Sequence, residues 1–142
     1  MGNVWRVNMK MDGIKIYGQK GLFKFCEQEN IIGIGWSSPS CTENLEKSVT
    51  DIHIVRDYVR AKVIELKWKI RSFSNGTNVI VDRMNIGDYV WTRYDGIYKL
   101  AKIVSEPMYM RDNKEYQDYD IGFYRKVEYC KKDFIISDVP GK

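Results

Sequence analysis

A chain of 142 residues, 44% hydrophobic and 30% charged, has the size of one ordinary domain and enough apolar material for a core, which argues against wholesale disorder. No apolar run approaches the roughly 20 residues of a membrane-crossing helix, and residues 1–10 hold no apolar stretch behind a basic start, so neither a membrane partner nor an export signal is expected. A net charge of +4 attracts polyanions in general without identifying one.

Residues 4–10 alternate, with Trp5, Val7 and Met9 against Arg6, Asn8 and Lys10, the period of a half-buried strand. Gly13 and Gly18 bracket a short apolar run, after which Leu22, Phe23, Phe25 and Cys26 predict one or two helical turns ended by Asn30. Residues 31–36 read as a buried strand whose Gly33 and Gly35 permit close backbone approach, followed by a polar loop over 37–44. From Asp51, with Thr50 or Asp51 as N-cap, Val55, Val59, Val63, Leu66 and Ile70 recur at helical spacing. This helix is expected to reach about Ser72, with Ser74, Asn75, Gly76, Thr77 and Asn78 breaking it. Val79, Ile80 and Val81 favour a strand by propensity, yet Thr77 or Asn78 can equally cap a short helix ending near Met84, and both readings stay open. Gly87-Asp88 opens residues 89–93, and Asp95-Gly96 precedes 97–104, a hairpin signal. A charged, flexible stretch over 111–120 leads to a last strand in which Ile121, Phe123, Arg125, Val127 and Tyr129 alternate. No repeat and no long linker divide residues 1–142, so a single α+β domain is expected. Its form would be a small, curved, partly open β-barrel of about five or six strands, with one long helix and one or two short ones.

Cys26, Cys41 and Cys130 are odd in number, far apart and without a CxxC pair. No disulfide framework is expected, and a reducing, cytoplasmic setting fits, with each thiol a small buried apolar group. The single histidine, His53, has no nucleophile motif beside it; Cys/His zinc spacing is missing, and neither GxxxxGK[ST] nor GxGxxG occurs. The reading therefore expects no enzyme: no catalytic residue, no metal and no cofactor. One string, Val63-Ile64-Glu65-Leu66-Lys67, with Asp51 or Asp57 upstream, mimics the acidic strand and magnesium ligands of a PD-(D/E)xK nuclease. The helical period runs straight through it, whereas that site requires a strand. Arg56, Arg60, Lys62, Lys67, Lys69 and Arg71 crowd one segment, a candidate face for phosphates.

Several strings, in this order, carry a resemblance: Val4-Trp5-Arg6, Ile32-Gly33-Ile34-Gly35-Trp36, a helix leading to residues 80–84, Ile86-Gly87-Asp88-Tyr89-Val90-Trp91-Thr92-Arg93, residues 96–103, and Tyr124-Arg125-Lys126-Val127-Glu128-Tyr129. Together they cover most of the chain and resemble the PUA-like superfamily, in particular its EVE and YTH-like branch. Such domains stand alone or at the N-termini of McrB-like restriction proteins, and they take an extruded modified base into an aromatic-lined pocket. The resemblance implies nucleic-acid binding, helix rather than strand over residues 79–84, Trp36 and Trp91 as pocket walls, Ser37 or Ser38 as polar contacts, and Tyr98 as a further wall. The long basic helix and a Tyr-rich loop near residues 108–119 depart from that pattern.

Aromatic side chains suit base recognition because every base has a π face, and one stack is worth about 1–3 kcal/mol. Trp5 and Trp68, inside regular elements, are expected in packing. Trp36 and Trp91, beside strand ends, are expected in one common pocket, with Arg93 and the helix basics Arg56, Arg60, Lys67 and Arg71 holding the backbone of DNA or RNA. The expected role is binding without a reaction, in defence against foreign DNA, its evasion, or RNA modification. The alternative is a protein-interaction or inhibitor module of a mobile element or defence system, with the Tyr-rich loop as its contact; the metal-dependent nuclease comes third.

Overall fold

The computed structural model describes residues 3–9 and 11–135; Lys10, on which the first expected strand ends, lies outside them. The alternating runs form the strands. These are β1 (Val4–Arg6), β2 (Ile31–Ile34), β3 (Tyr89–Tyr94), β4 (Ile97–Ile103), β5 (Met108–Tyr109) and β6 (Phe123–Tyr129). They build a six-stranded sheet in the order β1-β3-β4-β6-β2, with β5 on β6. The β1–β3 pair is parallel and the others antiparallel. The sheet curls into a half-barrel with the helices packed on it, the α+β architecture expected. At the β3–β4 turn Asp95 and Gly96 both have positive φ, 47° and 76°, as a two-residue hairpin requires.

Before β2, α1 (Gly13–Glu29) is longer than the one or two turns expected. It is two helices joined at Gly18, whose φ of 76° and ψ of 164° leave the helical region. Leu22, Phe23, Phe25 and Cys26 enter the core, and Asn30 ends the helix in the left-handed conformation.

The expected single helix to Ser72 is broken. α2 (Ile52–Glu65) starts as predicted, with Asp51 accepting from the N–H groups of His53 and Ile54, and it buries Val55, Val59 and Val63, each worth roughly 1.5–3 kcal/mol in transfer. Leu66 and Ile70, the rest of the predicted stripe, are exposed. After Glu65 the chain closes a Schellman motif: Lys67 N–H donates to the Ile64 carbonyl (3.1 Å) and Trp68 N–H to that of Val63 (3.0 Å). Lys67, at φ 57°, occupies the left-handed position that usually holds glycine. α3 (Ile70–Thr77) then runs through residues expected to form a turn. Gly76 serves close packing instead: a β-carbon there would lie 3.2 Å from Ile34 Cδ1 and 3.7 Å from Trp36 Cζ3.

A π-helical segment (Asn78–Arg83) replaces the strand that β-branched propensity favoured. Arg125 shows why it is tolerated. This side chain is 1% exposed and donates to the carbonyls of Ile80 (2.7 Å), Val81 (3.3 Å), Met84 (2.8 Å) and Ser105 (3.1 Å). Carbonyls that a wide helix leaves without partners are thereby satisfied.

The stretch expected to be a charged, flexible loop contains α4 (Lys114–Asp118) and is packed. Tyr109 and Tyr116 are buried, and the Tyr119 ring stacks 4.2 Å from Phe25 and 4.3 Å from Tyr17. Of the rings the alternative reading offered as a contact surface, Tyr109 and Tyr116 are interior and Tyr119 is partly buried. Cys26 and Cys41 are buried as expected, and burial pushes their thiols up to about 12 and about 11; Cys130, against expectation, is exposed.

Candidate functional site

The half-barrel's end strands, β1 and β2, are not paired to each other, and a cavity of about 810 Å³ lies along their seam. The chain after β1 supplies Asn8 and Asp12, the end of β2 supplies Gly35 and Trp36, and the α2–α3 corner supplies Lys67, Trp68 and Lys69. Asp120, just before β6, closes one side. The volume falls within the roughly 300–1,000 Å³ typical of small-molecule pockets.

Trp36 is held in place against local preference. Its φ is 65°, a left-handed conformation that costs an L-residue about 1–2 kcal/mol. Three contacts fix it. Tyr109 donates its hydroxyl proton to the Trp36 carbonyl (2.6 Å). A β-carbon at Gly122 would come within 3.0 Å of the Trp36 backbone, so only glycine allows that approach. The indole itself meets Phe73 edge-on, with centroids 5.1 Å apart. Burial raises the pKa of the Tyr109 hydroxyl, so it stays a proton donor. Strain held by the surrounding structure is a mark of functional positions.

Trp68 reaches the same cavity from the other side. It was expected in the packing of a continuous helix; the Schellman break instead places it outside α2 and α3, 41% exposed. Lys67 and Lys69 flank it, both exposed. Ile64, Leu66, Trp68 and Ile70 are 58%, 40%, 41% and 37% exposed, so this corner exposes four apolar side chains that alternate along the chain with Glu65, Lys67 and Lys69.

The opposite side is acidic and ordered. Asp120 Oδ1 accepts from the Ser37 N–H (3.1 Å) and hydroxyl (2.8 Å), and Oδ2 accepts from the Asp12 N–H (3.1 Å). A β-carbon at Gly35 would sit 2.8 Å from Oδ2, so glycine at that position keeps the carboxylate beside the strand. This wall offers acceptors, and the corner opposite offers positive charge.

The sequence-predicted site residues divide. Trp36, Ser38 and Lys67 line the cavity. Ser37 is buried and bonded to Asp120, a support for the wall rather than a contact. Trp91, Arg93 and Tyr98 lie elsewhere, around a separate cavity of about 220 Å³. The expected common pocket of Trp36 and Trp91 is therefore not formed: Trp36 packs against the main core, whereas Trp91 packs with Tyr98, Leu100 and Phe134 in a cluster apart from it. Trp91 is 7% exposed and boxed edge-on by Phe134 at 5.1 Å and Tyr98 at 6.4 Å. Trp5, expected in packing, is partly buried against the core and donates its Nε1 proton to Asp88 (2.9 Å).

The basic helix face is also reduced. Arg56 pairs with Asp82 at 2.6 Å and Asp57 at 3.4 Å, Arg60 is half-buried, and Arg71 is exposed but does not line the cavity. Lys62 pairs with Glu65 at 3.4 Å. That Glu65 ends a helix, so the nuclease-like string lacks the strand it would need. Exposed His53 lies 3.8 Å from Asp82. Trp68, Lys69, Asp12 and Asp120 are among the lining residues that sequence reasoning did not assign to a site; the alternation of apolar and charged residues over 64–70 was the available signal for the first two.

No family model, curated protein or solved structure matches the chain. Among the described residues, no group of three or more His, Cys, Asp or Glu is placed to hold a metal ion, and no helix is long and apolar enough to cross a membrane.

Proposed function

We propose that this chain is a nucleic-acid-binding module that receives one unpaired or extruded base in the seam cavity, and that it binds without carrying out a reaction. The observation that carries the reading is that Trp36 and Trp68 line one cavity of about 810 Å³ whose rim holds Lys67 and Lys69. Indoles offer stacking surface to a base of any identity. The rim lysines supply the charge that a phosphate backbone requires. Acceptors on the Asp120 side suit the N–H donors of a base edge. The same reading keeps the chain with PUA-like, EVE-type domains, supported by the half-barrel and by the order of its elements, and leaves modified bases of DNA or RNA among its ligands.

Tryptophan fluorescence tests this during titration with single-stranded oligonucleotides and abasic counterparts at two salt concentrations. Salt-sensitive quenching that needs the base, and that weakens in Trp36→Ala and Trp68→Ala, is the expected result. Equal binding of the abasic strand, or no response to any strand, contradicts the proposal.

A second reading rests on the exposed apolar side chains Ile64, Leu66, Trp68 and Ile70. Exposed patches of this kind also mark protein-binding surfaces. This is the protein-interaction or inhibitor role, moved from the tyrosine stretch to the α2–α3 corner. Silence toward oligonucleotides favours it.

A further inference from the structure

Among the described residues, the charges that line the seam cavity are two carboxylates, Asp12 and Asp120, on one side and two ammonium groups, Lys67 and Lys69, on the other. Asp120, Lys67 and Lys69 make no ion pair there, and Asp12 makes only an exposed one with Lys15 at 3.5 Å. A cationic ring would meet the lysines unfavourably. A neutral ring with N–H donors on one edge and a phosphate attached beyond the other suits both walls.

Asp120 is positioned to read such an edge. Its Oδ1 is taken up by the N–H (3.1 Å) and hydroxyl (2.8 Å) of Ser37, a buried residue off the cavity lining. Oδ2 lies between Asp12, whose N–H donates to it at 3.1 Å, and Gly35, where a β-carbon would stand 2.8 Å away, and both of these residues line the cavity. An ionised carboxylate only accepts, at about two sites per oxygen, so Oδ2 keeps one acceptor site on the cavity side. The exposed Asp12 carboxylate adds further acceptor-only oxygens to the same wall. Such oxygens sort the bases by their pairing edges. Guanine presents two adjacent donors, N1–H and the 2-amino group. Uracil and thymine place one N–H between two carbonyls, and adenine and cytosine set an amino group beside a ring-nitrogen acceptor that a carboxylate repels.

We infer that the seam cavity prefers guanine, with Asp120 and Asp12 as the residues that set the preference. This rests on the base-binding reading above and names its substrate. The other bases stack on the same indoles and enter about tenfold more weakly, the loss of one hydrogen bond to a charged acceptor.

The test compares dissociation constants of single strands that hold one base among abasic residues. The bases are guanine, adenine, cytosine, uracil and hypoxanthine, which keeps N1–H and lacks the 2-amino group. Guanine is expected to bind tightest, about tenfold above adenine and cytosine, with hypoxanthine between. Asp120→Asn, which puts an N–H donor into the wall, is expected to bring guanine down to the level of adenine while adenine binding holds. Because Asp120 also ties down Ser37 and the Asp12 N–H, Asp12→Asn is the second variant. Its side chain is exposed and makes no helix-capping hydrogen bond, and the change is expected to weaken guanine several-fold with the melting temperature unmoved. Equal binding of all the bases, preference for another base, hypoxanthine bound as tightly as guanine, or a guanine preference unchanged in both variants overturns the inference and leaves the base-binding reading standing. Base-bearing strands that bind no better than a wholly abasic one remove that reading, and the guanine preference with it.

Discussion

Trp36 and Trp91 are the same residue type in comparable sequence settings, and the fold treats them in opposite ways. Trp91 lies in a regular strand, and the segment around Phe134 returns across it, pairing with Tyr98 through a bridge and bringing two rings against the indole. Trp36 follows its strand in a strained left-handed conformation, pinned through its carbonyl, with a half-buried ring at the edge of the large cavity. Its companion there is Trp68, which stays 41% exposed. An indole becomes available to a ligand where the chain leaves it uncovered and holds its backbone; adjacency to a strand end does not decide the matter.

The contrast breaks most visibly at Trp91. Trp91→Ala is expected to cost about 3–5 kcal/mol of stability, the usual penalty for emptying a buried indole site, with base-dependent binding retained in whatever fraction stays folded. Chemical denaturation alongside oligonucleotide titration reads both quantities. Trp68→Ala should do the reverse, losing about 10- to 100-fold in affinity for a base-bearing strand while stability moves by less than about 1 kcal/mol, because the ring is largely outside the core.

Acid sharpens the comparison by loosening the Trp91 side. Asp88 is buried and accepts from Trp5 Nε1 and from the Asn85 and Asn3 N–H groups, each at 2.9 Å, clipping β1 to β3. The Trp5 hydrogen bond first, then those backbone N–H groups and the nearby Arg125 charge, hold its pKa below the ordinary carboxylate value against the opposing effect of burial. A lowered folded-state pKa means the stabilisation is complete above the unfolded pKa of about 3.9 and is lost as pH falls below it, through the folded value. Melting temperatures of wild type and Asp88→Asn should differ most at pH 5 and above, by an amount corresponding to about 1–2 kcal/mol, and converge on acidification. A gap that widens toward low pH would contradict the assignment.

The smallest expected effect separates fold from binding at one residue. Lys67→Gly relieves a left-handed lysine and should stabilise by about 1 kcal/mol, while the salt dependence of single-strand binding drops by about 0.7 of a counterion. Destabilisation by this substitution would mean that the lysine side chain, not the turn, holds the corner.

Much of the fold was readable from the sequence because its signals are local. The Asp95-Gly96 hairpin, the Asp51 cap and the alternation ending at Tyr129 each depend on a few adjacent residues. The α2–α3 break was not readable, since a Schellman motif carrying lysine leaves no glycine or proline to see. Gly76 misled for the complementary reason: its smallness answers to Trp36 and Ile34, which are distant in sequence. Part of the site was legible through Trp36, Ser38 and Lys67. Trp68 was lost with the helix break, and the Trp36–Trp91 pairing failed because the cluster each indole joins is decided by residues distant in sequence, Phe73 for the one and Phe134 for the other.

Photocrosslinking tests the central claim most directly, using single-stranded oligonucleotides that carry one 5-iodouracil or 5-iodocytosine, with adducts mapped by mass spectrometry. Adducts on Trp36 or Trp68 are the predicted outcome. Adducts on Trp91, or a bound strand that crosslinks to neither seam tryptophan, would contradict the account.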